Sequence, residues 1–385
     1  MTRPVRHFLS HQNGDRAALV RLETDMRRRG LLSWRDRKDQ ARGVATDPAV
    51  LKAIESETDG FVLYGSGKIL RSEYVWKSEW PPAFLRNRAE ADADHPFPYP
   101  LIPIFVGSTT VSDLKGAAAH FGKPVPTKFN GERLRRGTAG RRAVANYLLD
   151  TALARRHAEA PPGPLKMHVT TFPVPATLDA DIALDWAPEF ESGVDVPWSE
   201  LLVARDDLAV AIARTGRPLA ISVQARLGPA YAVGRAFPRV SRIGITAGDG
   251  WRLGTTEDTS LVAADDRRDP TGDPAVAVVE VAFGRTITNA VDRAITDFAI
   301  APGRRLRIGY GPGADHVDAE VAAAATATFM RRLKALRDDG VHEAHVFLLG
   351  PAPLALLLGA AVNAGPAVTL YHTVDGSYVR SVRLA

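Results

Sequence analysis

The chain of 385 residues contains no cysteine. Disulfides, thiolate metal sites and a cysteine nucleophile are thereby excluded, and the composition suits a cytoplasmic protein. The opening MTRPVRHFLSHQNGDR holds no apolar segment of signal-peptide length. There is no lysine-rich tail and no dense helical basic stripe, so the net charge of +5 gives only a modest bias toward anionic partners, and DNA binding is not expected. One uncharged run, VFLLGPAPLALLLGAAVNAGPAVTLY at 346 to 371, has the length to span a bilayer. Its prolines and glycines divide it into an apolar run, a Gly-Pro turn, a helix-length LALLLGAAV and a second β-rich run. That pattern reads as a buried strand, helix and strand of an α/β core, with no membrane partner. Acidic pairs that would complete a metal site around His342 and His345 are missing, and the odd separation of these histidines at a strand entry puts them on opposite faces. No metal site is expected.

What is present divides in two. The proline-rich AEAPPGPLK at 158 to 166 marks a linker, giving domains at 1 to 157 and 167 to 385. Before it, strand and helix patterns alternate: VRHFLS, a helix over 15 to 29 ending at Gly30, LLSW, a helix over 47 to 57 opening on Asp47-Pro48, GFVLYGS, PLIPIFVG, and an arginine-rich helix over 132 to 157. Such alternation predicts a parallel sheet with helices on both faces, and a ligand site beyond the carboxyl ends of its strands. After the linker, ISVQARLGPAYAVG at 221 to 234 and HVFLLGPAPLALLLG at 345 to 359 echo one another as strand, Leu-Gly-Pro-Ala turn and helix, which suggests two Rossmann-like halves. Asp375-Gly376 marks a terminal hairpin.

The densest group of candidate functional residues is RSEYVWKSEW at 71 to 80. At 100° per residue, Ser72, Val75, Trp76 and Glu79 share one helix face, while Glu73, Lys77 and Trp80 share the other. Glu73 stands four residues before Lys77, the spacing of a surface ion pair. Glu79 has no such partner and lies among apolar neighbours just before Pro81 and Pro82. If the helix ends there, its carboxylate opposes the helix dipole; if Pro81 opens a new turn, that cost disappears.

The order and spacing of HFLSHQNGDR, RRRGLLSWRD, GFVLYGS and RSEYVWKSEW resemble the TIR domain family over about residues 5 to 155. The resemblance implies a flavodoxin-like five-stranded fold and NAD+ cleavage at the nicotinamide glycosidic bond, with Glu79 as the catalytic carboxylate. One carboxylate suffices for such a reaction, because nicotinamide leaves as a neutral molecule while cationic character develops on the ribose. The same resemblance implicates Ser10 and His11 after the first strand, Trp34 and Asp36 after the second, and Ser72 as substrate contacts. Two departures stand out. The family's tryptophan four residues before the glutamate is Val75 here, with Trp76 one later, and a common aromatic is replaced by His11.

HVFLLGPAPLALLLGAAVNAGPAVTLYHTVDGSYVRSVRL, with PLAISVQARLGPAYAVG before it, resembles the SAVED domain over about residues 166 to 385. That implies two fused CARF-like Rossmann halves binding a cyclic oligonucleotide second messenger, with cyclic tri-adenylate as the expected one, within bacterial CBASS antiphage defence. Turns following strands supply the expected ligand groups: Arg226, Gly228, Tyr231 and Arg235 around the first, Gly350, Pro351 and Ala352 at the second. Tyr371, Trp251 and the glycine-rich 309 to 315 are weaker candidates. Together the resemblances imply an NAD+ nucleosidase without a resident cofactor, activated through head-to-tail self-association or filament formation, with the loop at 35 to 46 completing a neighbour's site. Two alternatives stay open: a non-catalytic TIR scaffold that recruits partners, and a basic nucleic-acid-binding regulator using arginines 133, 135, 136, 141 and 142.

Overall fold

In the computed structural model the residues described are 3–35, 46–127, 129–159, 163–174, 177–191, 196–237, 245–248, 250–252, 260–309, 317–362, 365–374 and 376–384. The chain forms two compact units. The first comprises Met1–Gly163 with Pro175–Leu184 and Asp206–Gly216, so two segments from beyond the proline-rich stretch join it; the second holds the remainder.

The first unit is built on β1 (Arg6–Ser10), β2 (Leu32–Trp34), β3 (Gly60–Gly65), β4 (Leu101–Val106) and β5 (Glu132–Leu134), ordered β2-β1-β3-β4-β5. Every pairing is parallel. Between them run α1 (Arg16–Arg27), α2 (Thr46–Lys52), α3 (Trp80–Asp92) and α4 (Val111–His120), and α5 (Gly137–Glu159) follows β5. Phe8, Phe61, Leu63, Trp76, Trp80, Leu101 and Phe105 form the core on one face of the sheet. The direction of strand progression reverses between β1 and β3, and a parallel sheet opens a ligand crevice at such a point, beyond its carboxyl ends.

Two readings change. The arginine-rich helix expected from residue 132 starts at Gly137, because Glu132–Leu134 pair with Ile104–Val106 as the fifth strand. Gly131 permits that approach: a Cβ there would lie 1.9 Å from the Pro103 carbonyl oxygen. The helix expected to open on Asp47-Pro48 starts at Thr46, and its last turn, Ala53–Glu57, is π-helical.

The second unit begins with β6 (Leu165–Thr170), inside the expected linker. The chain continues through β7 (Ile182–Asp185), α6 (Ala187–Phe190), α7 (Trp198–Thr215), β8 (Leu219–Gln224), α8 (Leu227–Arg235), β9 (Ile245–Ala247) and β10 (Trp251–Arg252). Of these strands, four stand in the order β10-β9-β8-β6 within a five-stranded sheet. A six-stranded sheet follows, from β11 (Ala264–Arg268), β12 (Asp273–Ala282), β13 (Pro302–Ile308), β14 (Glu343–Leu349), β15 (Ala367–Val374) and β16 (Ser377–Leu384), with α9 (Thr288–Asp297), α10 (Ala319–Asp338) and α11 (Ala352–Ala361). Its order is β11-β13-β12-β14-β15-β16. The long uncharged run thus resolves into β14, α11 and β15, and no described helix is long and apolar enough to cross a membrane.

Helices α8 and α11 pack on each other through glycine. A Cβ on Gly234 would lie 1.9 Å from the Leu356 carbonyl oxygen, and one on Gly359 would lie 2.1 Å from that of Tyr231. The contacts are reciprocal at a fixed offset of 125 residues, since 234 and 359 differ by the same number as 231 and 356. The Leu-Gly-Pro-Ala echo has an offset of 122, from Leu227 and Leu349. Leu-Gly-Pro-Ala therefore sits inside the first turn of α8 but straddles the entry to α11. The two halves are related by the glycines, and the repeated tetrapeptide is out of register with them by three residues.

Candidate functional site

At the carboxyl edge of the first unit's sheet, the Ser10 hydroxyl donates a hydrogen bond of 2.5 Å to the Glu79 carboxylate. Ser10 ends β1 beside the point where strand order reverses. Glu79 is buried, 4% exposed. Local structure explains how it arrives there. Val75–Glu79 form a π-turn that runs straight into α3, with Pro81 and Pro82 in the first turn of that helix and Glu79 at its N-cap position. The prolines continue the helical run instead of ending it, with Glu79 and Trp80 both keeping right-handed helical backbone, so the carboxylate does not stand in a last turn against the dipole.

Within the π-turn the angular spacing of side chains differs from that of an α-helix. That conformation takes an extra residue per turn, a device frequent at functional sites, and the face sorting expected of an α-helix fails across it. Val75, Trp76, Glu79 and Trp80 are all buried. Trp76 is core: its indole N–H donates to the Ile69 carbonyl at 2.9 Å and its ring lies 5.5 Å from that of Trp80. Glu73 and Lys77 form the exposed pair the spacing predicts, at 3.2 Å.

Loops after β1 and β3 are tied together beside this carboxylate. The Ser66 hydroxyl donates to Asp15 at 2.5 Å, the Lys68 ammonium donates to the Gly14 carbonyl at 2.9 Å, and the Gln12 side chain accepts from the Gly14 N–H at 2.7 Å. His11 is half-buried with Nδ1 3.2 Å from the Leu9 carbonyl oxygen. Ser72 is half-buried at the entry to the π-turn, its Oγ 3.5 Å from the Val75 N–H. Trp34 packs in the core, stacked on Phe8 at 4.8 Å. Arg35 is buried and paired with Glu23 at 3.0 Å. Asp36 and the rest of the loop to residue 45 lie outside the described residues. The arrangement offers one oriented, buried carboxyl group at the sheet's carboxyl edge, which when ionised is suited to stabilising positive charge beside it.

In the second unit, the candidate ligand groups divide. Arg226 is the N-cap of α8, its backbone N–H donating to the Thr171 hydroxyl at 2.9 Å and its guanidinium 5.8 Å from the Phe190 ring centre. Gly228 sits in the first turn, where a Cβ would lie 2.5 Å from the Ser381 hydroxyl. Gly350 and Pro351 lead from β14 into α11, which starts at Ala352. These residues lie at helix starts that follow strand ends.

Tyr231 and Arg235 do not. Tyr231 is fully buried, edge-on to Phe329 at 6.3 Å, and burial pushes its phenol upward. Arg235 ends α8 and donates to the Val362 carbonyl, capping the far end of α11. Both are candidates for base stacking and phosphate pairing; the helix carries them around or away from the turn at its start. Tyr371 is likewise core, stacked on Phe347. Residues 310–316, most of the third glycine-rich turn, lie outside the described residues. Sequence reasoning missed His372 and Ser381. Both are buried beside the start of α8, and among the described residues His372 Nδ1 and Ser381 Oγ have no hydrogen-bond partner. Burial pushes the His372 imidazole down, and Arg226 adds to the effect. Polar atoms of this kind on two adjacent strands carry no sequence signature of their own. Among the described residues, no cluster of three or more His, Asp or Glu side chains has a geometry that would hold a metal ion.

Comparison with known proteins bears on this second region. Residues 204–384 match the family model for SAVED, described as the SMODS-associated and fused to various effectors sensor domain. No curated protein matches the chain. Among solved structures, the Cap4 SAVED/CARF-domain containing receptor of Acinetobacter baumannii with the cyclic trinucleotide 3'3'3'-cAAA is 14% identical, covering 88% of this chain and 84% of that one at a TM-score of 0.49. The same receptor without a named ligand is 13% identical at 0.46, with the same coverage. The Cap4 receptor of Moraxella osloensis is 12% identical, covering 99% of this chain and 87% of its own, at 0.42. Residues 204–384 of this chain form a SAVED domain.

Proposed function

We propose that the chain is an NAD+ glycohydrolase of the TIR type, switched on by a cyclic oligonucleotide bound at its SAVED domain and acting as a CBASS effector in the bacterial cytoplasm. The observation that carries the catalytic half is the Ser10–Glu79 hydrogen bond at the reversal point of a parallel β2-β1-β3-β4-β5 sheet. Strand order and carboxylate position agree with the TIR resemblance of residues 5 to 155. In this reading Ser10 fixes the carboxylate's orientation, and Glu79 stabilises the oxocarbenium character that develops on the ribose as nicotinamide leaves. No protonation of the leaving group is required. The SAVED match, a sensor type fused to effectors, supports the regulatory half, with cyclic tri-adenylate as the proposed activator. Arg226, Gly228, Gly350, Pro351 and Ala352 are the proposed phosphate and backbone contacts.

Glu79 is nearly closed to solvent in the single chain, which fits an enzyme whose site opens or is completed only in an assembled state. Head-to-tail self-association, as a filament or short oligomer, is the proposed route. The test is nicotinamide release from NAD+ by wild type and Glu79→Gln, with and without a panel of cyclic oligonucleotides. Release is expected only with the matching ligand, and the substitution is expected to cut it at least about 100-fold, an electrostatic group of this kind being worth roughly 3 kcal/mol. Intact NAD+ in the presence of demonstrably bound ligand would instead indicate a non-catalytic scaffold.

A further inference from the structure

A cavity of about 830 Å³ opens in the first unit, lined by Arg21, Arg133, Arg135, Arg136 and Arg141 together with Gly107 at the carboxyl end of β4. Among the described residues no carboxylate lines it. Of the five arginines, Arg141 is tied to an acid, its Nε donating to Asp25 at 2.8 Å. Arg133 is fixed differently, its guanidinium donating to the carbonyls of Gly107 at 2.8 Å and Thr109 at 3.2 Å. Arg21, Arg135 and Arg136 are exposed, and no ion pair joins them to an acid among the described residues.

Five guanidiniums around one cavity, of which Arg141 is paired with Asp25, repel one another, and a multiply charged anion is the species that relieves that repulsion. The guanidinium fork matches phosphate oxygens two at a time. The start of α5 at Gly137 borders the same space and adds a favourable dipole. The volume falls in the range of small-molecule sites, roughly 300–1,000 Å³. Position separates this space from Glu79. On β4, Phe105 points into the core that holds Trp76 and Trp80, and the next residue, Val106, lines the cavity, so the cavity lies on the opposite face of the sheet.

The geometry points to a second ligand site in the first unit, for a small molecule carrying a diphosphate or triphosphate group, held by Arg21, Arg133, Arg135 and Arg136. This site does not depend on NAD+ cleavage, and its test reads binding alone. Inorganic pyrophosphate is titrated calorimetrically into the full chain at near-physiological salt. Saturable binding is expected, weakened about tenfold or more (about 1.4 kcal/mol or more) in the double variant Arg135→Ala, Arg136→Ala. Arg88→Ala, an exposed arginine elsewhere, should leave binding unchanged. Melting temperatures check that each variant is folded; if the double variant is not, Arg21→Gln takes its place with the same expected weakening. Absence of pyrophosphate binding, or equal affinity in the variant, overturns the site. So does tighter, arginine-dependent binding of a short generic duplex DNA that pyrophosphate fails to displace, which would make the cluster a nucleic-acid contact.

Discussion

Ser10 and Glu79 form a pair whose two members make separable predictions. Removing the hydroxyl leaves the carboxylate buried but less well held. Ser10→Ala is therefore expected to lower stability by about 1–3 kcal/mol, the usual consequence of under-satisfying a buried polar group, and to reduce the rate of nicotinamide release about ten- to a hundredfold through misorientation. Urea unfolding and turnover measured on the same variant test both; unchanged turnover would remove Ser10 from the site. His7, on the same strand, has the opposite character. It is fully buried, facing the backbones of Gly60 and Leu148, and desolvation pushes its imidazole down to about 4. The folded chain thus holds it neutral, whereas the unfolded chain protonates it near pH 6.5. Its contribution is complete above pH 6.5, falls as the pH drops toward 4, and then levels off. Between pH 7 and pH 5 this one residue should account for about 2 kcal/mol of lost stability. The difference between wild type and His7→Leu in the pH dependence of urea unfolding isolates it, and identical slopes would contradict the assignment.

At the scale of elements, strands with strong apolar runs were legible and short or edge pieces were not. RHFLS, GFVLYG and LIPIFV announce themselves as buried parallel strands. Glu132–Leu134 does not, because three residues with two charges carry no period, and the flanking arginines read as helix; only Gly131 and Gly137, at its two ends, hint at the break. The π-turn at Val75–Glu79 is invisible to a 100° wheel by construction, which is why Trp80 was placed on the wrong face while Glu79 was placed on the right one. In the second unit the strand–helix repeat is legible, but Leu-Gly-Pro-Ala, a turn motif, suggests the wrong register, because the physical feature the two halves share is backbone contact at Gly234 and Gly359. That contact makes a prediction. A methyl group at Gly359 must displace the Tyr231 carbonyl, from which it would stand 2.1 Å, so Gly359→Ala should separate α8 from α11. A loss of about 1–3 kcal/mol is expected from overpacking. Adding Gly234→Ala should cost less than a second full increment, because both methyl groups push the same helix pair apart. Full additivity in urea unfolding would mean that the two contacts are independent.

For the whole molecule, the proposed activity depends on association. A carboxylate that is 4% exposed in a single chain meets a dinucleotide only after some change of state, and a ligand drives such a change by binding one state more tightly than the other. If that state is an assembly, its population rises with protein concentration as well as with ligand. Specific activity at saturating cyclic nucleotide should therefore climb steeply as the chain is concentrated, then reach a plateau, in step with the appearance of large species in light scattering. Without the nucleotide, activity should stay near zero across the same range. A chain that opens its own site on binding ligand would behave otherwise, with specific activity independent of concentration and no growth in scattering. The two outcomes differ in the order of the reaction in protein, which a dilution series at fixed ligand reads directly. Arg226→Glu sharpens the comparison: reversing charge at the start of α8 should raise the nucleotide concentration needed for activation while leaving the plateau attainable, since it weakens the ligand's preference for the active state without touching Glu79.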